Sequence, residues 1–324
     1  MNINSDKTKT AIAELPMHFI SAKQVTPDGL IELCKNAEQI KKTPADYQDR
    51  LKGKVACTLF FEPSTRTRLS FESAVQRLGM MLISTENARE NTSDIKGESL
   101  QDTIRIAQCN SDCIIMRHQD DDAHQRVIPF AKVPIVNAGS GKQEHPTQGL
   151  LDVYTVYLHK RHLDGLSVAI IGDLKYGRTS HSFIRLLSMY PKLSVYGLSD
   201  DNLRLPQEYI DELKKSGAKY TEVSSFKELP SDIDALYQTR VQHERISGLD
   251  NLKTFDITPS VMQRFSKDTL IMHPLPRLNE LSSELDLDSR AVYFEQVQNG
   301  LYIRQALLLD LMVDKKIIQT TLGC

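Results

Sequence analysis

The chain has 324 residues, with 40 Lys+Arg against 42 Asp+Glu and a net charge of −2. That length suits two α/β domains of ordinary size, and the charge balance lacks the basic excess of a nucleic-acid binder. No stretch approaches the ~20 apolar residues of a membrane span. Met1–Lys9 is polar with no apolar signal core behind it, and the five scattered cysteines form no CxxC pair, which points to buried thiols in a reducing cytoplasm.

Strand-length apolar runs alternate with helical periodicity, the pattern of βαβ units and parallel sheets. The first half predicts strands at Lys54–Phe61, Met80–Ser84, Asp112–Met116 and Val133–Asn137. Between them, Phe71, Ala74, Val75 and Leu78 mark one helical face, as do Leu100, Thr103, Ile104 and Ala107. A helix around His145–His159 links the halves. The second half predicts strands at Leu166–Ile171, Leu193–Leu198, Ala235–Tyr237, Leu270–Met272 and Ala291–Phe294, with a helix over Arg178–Met189. A last apolar helix, about Leu301–Ile318, has no strand after it and is expected to pack back on the first domain. The reading is α/β, with two doubly wound parallel-sheet domains linked by helices. The expected division is residues 1–147 plus 301–324 against residues 148–300.

Six loops carry candidate chemistry. Ser64-Thr65-Arg66-Thr67-Arg68 follows a strand and opens a helix, where unpaired N–H groups, hydroxyls and a guanidinium suit a phosphate. The alternative is a Ser-capped surface helix. His145-Pro146-Thr147-Gln148 sets two donors at a helix start, able to hold a carbonyl oxygen as it gains charge. A plain cap is the competing meaning. Gly172-Asp173-Leu174-Lys175-Tyr176-Gly177-Arg178-Thr179 comes close to a nucleotide-binding P-loop but has Arg where Lys is required. A planar guanidinium matches a carboxylate better, so Arg178 reads as a carboxylate clamp. Thr239-Arg240-Val241-Gln242 and His273-Pro274-Leu275-Pro276-Arg277 follow strands, where open α/β sheets place ligand loops. The prolines stiffen the second of these. Asn91–Glu98 reads as a polar lid carrying Lys96. Arg117 ends a strand. His118, Asp120, Asp121, Asp122 and His124 read as a solvated acidic loop, so no metal is expected.

Taken in order, S-T-R-T-R (64–68), H-P-T-Q (145–148) and H-P-L-P (273–276) resemble the aspartate/ornithine carbamoyltransferase family from about Val55 to Ala306. Pro274 in place of the Cys of ornithine enzymes, together with Arg240-Val241-Gln242, Arg178-Thr179 and Lys96-Gly97-Glu98, resembles the aspartate branch. The resemblance implies transfer of a carbamoyl group from carbamoyl phosphate to L-aspartate, a step of pyrimidine biosynthesis, without a cofactor. It implies that Ser64, Thr65, Arg66 and Thr67 hold the phosphate. Arg66, Thr67, Arg117 and His145 would contact the carbonyl oxygen and Gln148 the carbamoyl nitrogen. The Pro274 and Leu275 carbonyls would orient the amine. Arg178 and Thr179 would take the α-carboxylate, and Arg240 with Gln242 the β-carboxylate. Lys96, with Ser93, would arrive from a neighbour in a homotrimer with shared sites. A separate regulatory chain stays open. The rivals are an ornithine-type enzyme and a P-loop nucleotide-binding switch.

Overall fold

A computed structural model describes residues 18–86, 97–241 and 252–318. In the first half, strands β1 (Val55–Phe60), β2 (Met81–Glu86), β3 (Cys113–His118) and β4 (Ile135–Ser140) form a parallel sheet in the order β2-β1-β3-β4. In the second, β5 (Ser167–Ile171), β6 (Ser194–Leu198), β7 (Lys219–Val223), β8 (Ala235–Gln238) and β9 (Leu270–Met272) form a parallel sheet ordered β7-β6-β5-β8-β9. The helices used below are α1 (Pro27–Lys42), α2 (Thr65–Arg77), α3 (Leu100–Ala107), α4 (Ala123–Val127), α5 (Pro146–Lys160), α6 (Arg178–Leu187), α7 (Gln207–Lys215), α8 (Pro259–Met262) and α9 (Tyr293–Leu309).

Both faces of each sheet are covered, which explains strands with little polar alternation. On β1, Ala56 and Phe60 join one core with α1, α2 and α9 residues, while Cys57 and Leu59 face a second with Ile104 and Val127. On β5, Val168 and Ile170 belong to the same large core as α5, α6 and α7. Ala169 and Ile171 turn to a third with Met262, Phe265 and Tyr293. One apolar core therefore runs through the helices that join the two sheets. Helix α9 packs along α1, α2 and α5, as expected for a helix returning to the first domain.

Two expectations differ from the structure. Ala291–Phe294 is not a strand. Ala291 makes a single parallel bridge to Ile271, and Val292 then caps α9. The β-prone Val-Tyr-Phe triplet is overridden by the helix-forming run behind it. Helix α9 thus begins well before Leu301. Conversely, Lys219–Val223 was not read as a strand. It lies at the sheet edge and is largely exposed, so its charged residues hide the apolar signal.

Order reverses between β1 and β3 and between β5 and β8. Chains leave such strands in opposite directions, and their carboxyl ends open a crevice there. The turn after β1 and Arg117 of β3 lie at the first crevice. The loops after β5 and β8 lie at the second.

Candidate active site

The two crevices face one cavity of about 430 Å³. It is lined from the first domain by Ser64, Thr65, Arg66, Thr67, Arg117, His145 and Gln148, and from the second by Arg178, Thr179, Arg240, Pro274 and Leu275. Segments far apart in the sequence supply these side chains; the folding of both sheets brings them together. Lys96, Ser93 and Gln242 fall outside the described residues.

Ser64 occupies the N-cap of α2, yet its hydroxyl makes no capping bond. The cap reading leaves that hydroxyl unexplained, and a ligand at the helix start explains it. Arg66 has its pKa lowered by burial and by the nearby charge of Arg240. The Ser64–Thr67 turn and the β8 loop therefore present like charges to the same space, an arrangement that an anion relieves.

Thr67 Oγ1 lies 3.2 Å from His145 Nε2, and the His145 N–H donates to Ser182 Oγ at 3.0 Å. Burial, together with the charges of Arg178, Arg117 and Arg304, holds the His145 pKa well below its ordinary value. The imidazole is thus neutral at physiological pH, a donor or acceptor rather than a cation. Arg117 Nε and Arg178 Nη1 flank the Glu62 carboxylate at 3.3 and 3.7 Å, and Arg178 Nη1 donates to the Gly141 carbonyl at 2.8 Å. Gly139, at φ +127°, passes between these arginines. A Cβ there would sit 3.3 Å from Arg117 Nη1 and 3.6 Å from the Arg178 Cζ. Only glycine allows both guanidinium groups to close on that loop.

The Gly172–Arg178 turn is not a phosphate cradle. Thr239 Oγ1 accepts from Asp173 N at 3.0 Å, and Asp173 Oδ1 from Tyr176 N at 2.9 Å, so backbone donors of the turn are engaged internally. Gly172, at φ +107°, abuts the Thr239 carbonyl. This turn joins the β5 and β8 loops and sends Arg178 across to the first domain.

In the late loop, Leu275 holds φ +57°, rare for a branched residue, and its N–H donates to His273 Nδ1 at 2.8 Å. His273 Nε2 is held 2.9 Å from Glu280. The histidine of this motif thus shapes the loop, while Pro274 and Leu275 line the cavity.

Several contributors escaped the sequence reading. Arg304 of α9 is buried at the cavity wall, donates to Ser70 Oγ at 2.7 Å, and has its pKa lowered to about 10 by burial. Glu62 anchors two arginines. Asp152 of α5, fully buried, accepts from Gln148 Nε2 (2.9 Å), Gln296 Nε2 (2.8 Å) and Tyr237 OH (2.8 Å). Burial pushes its pKa up to about 7. A signal existed for Asp152 and Arg304: each is a charge set among apolar neighbours within its helix, Leu150, Leu151 and Val153 for the one and Ile303, Ala306 and Leu307 for the other. In the 118–124 stretch, expected to be a solvated acidic loop, both His118 and His124 are instead buried, and His124 Nε2 lies 3.0 Å from the Met116 carbonyl.

A cleft between two parallel α/β domains, cationic on both walls and fitted with a neutral histidine, defines a group-transfer enzyme for anionic substrates. Residues 17–158 match the carbamoyl-P binding domain of the aspartate/ornithine carbamoyltransferases, and residues 164–311 match their Asp/Orn binding domain. The chain is 43% identical over 290 residues to the chloroplastic aspartate carbamoyltransferase of Arabidopsis thaliana, covering 88% of this chain and 74% of that one. It is 42% identical over 302 residues to the aspartate carbamoyltransferase catalytic subunit of Clostridium perfringens, covering 91% and 97%. The fold is similar to aspartate transcarbamoylase from Trypanosoma cruzi in complex with carbamoyl aspartate and phosphate, with TM-score 0.84 and 34% identity over 92% of this chain and 96% of that one. It is also similar to the catalytic subunit of the M. jannaschii enzyme, with TM-score 0.81 and 37% identity over 92% and 98%. The chain belongs to the aspartate/ornithine carbamoyltransferase family.

Proposed function

We propose that this cavity transfers the carbamoyl group of carbamoyl phosphate to the amino group of L-aspartate, giving N-carbamoyl-L-aspartate and phosphate. The observation that carries the reading is the facing of Arg66 and Arg240 across one cavity. Each substrate brings close to two negative charges, and their mutual repulsion must be offset from both walls. Ornithine would add a cation, whereas the second wall offers arginines.

In this reading, the α2 start with Ser64, Thr65, Arg66 and Thr67 binds the phosphate. Arg66, Thr67, Arg117 and neutral His145 donate to the carbonyl oxygen, and Gln148 meets the carbamoyl nitrogen. Arg178 with Thr179 takes the α-carboxylate, Arg240 with Gln242 the β-carboxylate, and the Pro274 and Leu275 carbonyls accept from the amine. The neutral amine attacks the carbonyl carbon, forming a C–N bond and a tetrahedral oxyanion. The C–O bond to phosphate then breaks, and the departing phosphate takes the amine proton. Each oxyanion donor is worth ~10²–10³ in rate, and holding both reactants in line supplies much of the rest. Arg240→Ala tests the reading. The KM for aspartate should rise roughly 10–100-fold, the loss of a charge-assisted hydrogen bond, with carbamoyl phosphate affinity nearly unchanged. Equal loss for both substrates would overturn the assignment.

The domain division proposed is residues 1–147 plus 301–324 for carbamoyl phosphate and 148–300 for aspartate, supported by the packing of α9 on α1 and α2. We further propose a homotrimer in which a neighbour supplies Lys96 and Ser93. Leu69, Met81, Ile83 and Ile106 are exposed apolar side chains on the first domain, and burial against another copy would account for them. A cytoplasmic setting fits the unpaired Cys34, Cys57, Cys109 and Cys113. Among the described residues, no helix is long and apolar enough to cross a membrane.

A further inference from the structure

A glutamine amide has a donor end and an acceptor end, and whichever end is bonded inside the protein decides which is offered to a ligand. Gln148 lines the cavity, and its Nε2 donates to Asp152 Oδ1 at 2.9 Å. We propose that Asp152 is a positioning residue that makes the site specific for a carbamoyl over an isosteric acyl group, by turning the Gln148 Oε1 acceptor toward the substrate. This rests on the reading of Gln148 as the contact to the carbamoyl nitrogen.

The carboxylate can do this because it is itself immobile. Tyr237 OH donates to Oδ2 at 2.8 Å, and Gln296 Nε2 donates to Oδ1 at 2.8 Å. Gln296 Oε1 accepts from His273 N at 2.9 Å, at the root of the late loop. Tyr237 lies on β8, just before Thr239 and Arg240. One buried carboxylate thus ties the carbamoyl side, the β8 loop and the late loop together. Both of its oxygens act as acceptors here. A flipped Gln148 would set acceptor against acceptor, at the cost of an unpaired buried group. The amide end left for the cavity is an acceptor, which suits an NH2 group and has nothing to offer a methyl.

Acetyl phosphate, with CH3 in place of NH2, is the probe. Titration calorimetry with carbamoyl phosphate and acetyl phosphate gives a preference ratio for each full-length variant. Asp152→Leu should shrink that ratio about tenfold or more through weaker carbamoyl phosphate binding, with acetyl phosphate nearly unchanged. A merely structural lesion would weaken both alike, and that outcome overturns the proposal. Gln148→Leu separates the two claims. If it abolishes the preference while Asp152→Leu preserves it, Gln148 keeps its role and Asp152 loses its own. If Gln148→Leu preserves the preference, the reading of Gln148 fails and the proposal falls with it. Should Asp152→Leu not fold, Gln148→Glu opposes two carboxyl groups and should lower the ratio. Asp152→Asn keeps one oxygen for Gln148 and Gln296 while its NH2 donates to the Tyr237 hydroxyl, and should hold the ratio to within about threefold of wild type. A lowered ratio there, or an unchanged one in Gln148→Glu, also overturns the proposal.

Discussion

Replacing Arg185 by Met should destabilise the protein by roughly 3 kcal/mol, at the low end of the cost of breaking a buried ion pair. Arg185 Nη1 lies 2.7 Å from Glu144 Oε1, while Nε and Nη2 each lie 3.0 Å from the Glu212 carboxylate. The Arg185 and Glu144 side chains are only 13% and 12% exposed, whereas Glu212 is 35% exposed. Burial opposes the guanidinium charge, yet Glu212 and Glu144 outweigh it and raise the Arg185 pKa. Without Arg185, Glu212 can turn to water at little cost. Glu144 cannot, and it keeps only the Ser21 hydroxyl and the Ala22 N–H, both at 2.9 Å. The estimate is therefore mainly the cost of leaving the Glu144 charge buried without its cation. Met retains most of the apolar stem, so packing loss is small. Adding Glu144→Gln removes that charge; its oxygen can accept from the Ala22 N–H while its NH2 donates to the Ser21 hydroxyl. The double variant should recover at least half of the loss. The assay is urea denaturation of the two single variants and the double. Additive losses would refute the reasoning, because they would mean that Glu144 and Arg185 do not act through each other. The pair also bridges the two domains at the residue preceding His145, so it ties stability to the geometry of the site.

Asp152→Asn should change how stability depends on pH. The Asp152 pKa rises from 3.8 to about 7 on folding, so this carboxyl favours the native state below pH 3.8 and loses that contribution as pH rises through 7. Relative to the Asn variant, wild type should lose up to roughly 4 kcal/mol between pH 4 and pH 7.5, at 1.36 kcal/mol per pH unit. Parallel denaturation profiles would contradict the buried-carboxylate account. Arg66→Ala should lower kcat ~10²–10³-fold in steady-state kinetics, as for a lost oxyanion donor; a loss confined to KM would make Arg66 a binding group only. Mixing the impaired Lys96→Ala and Arg240→Ala chains should restore part of the activity at low aspartate if sites are shared, and absence of recovery would argue for sites built within one chain.

Strands whose two faces are both buried leave dense apolar runs, so β1, β3, β5 and β9 were legible almost to the residue. Lys219–Val223 was not, because an edge strand satisfies water on its outer side with charged residues. Ala291–Phe294 misled for the opposite reason: local β propensity gave way to a long helix packing on distant partners. The cavity lining was readable because S-T-R-T-R, H-P-T-Q and H-P-L-P are contiguous stretches whose chemistry is local. Asp152 meets Tyr237 at a sequence separation of 85 and Gln296 at 144, and Arg304 meets Ser70 at 234. The Gln296 and Arg304 contacts are made only when α9 folds back along α5 and α2, and the Tyr237 contact only when β8 meets α5; local pattern carries no record of either.

The most direct measurement supplies the full-length protein with carbamoyl phosphate and either L-aspartate or L-ornithine, and identifies the products by mass spectrometry. The account predicts N-carbamoyl-L-aspartate and phosphate in equal amounts with aspartate, and no citrulline with ornithine. Citrulline formation, or no carbamoyl transfer to aspartate, would contradict it.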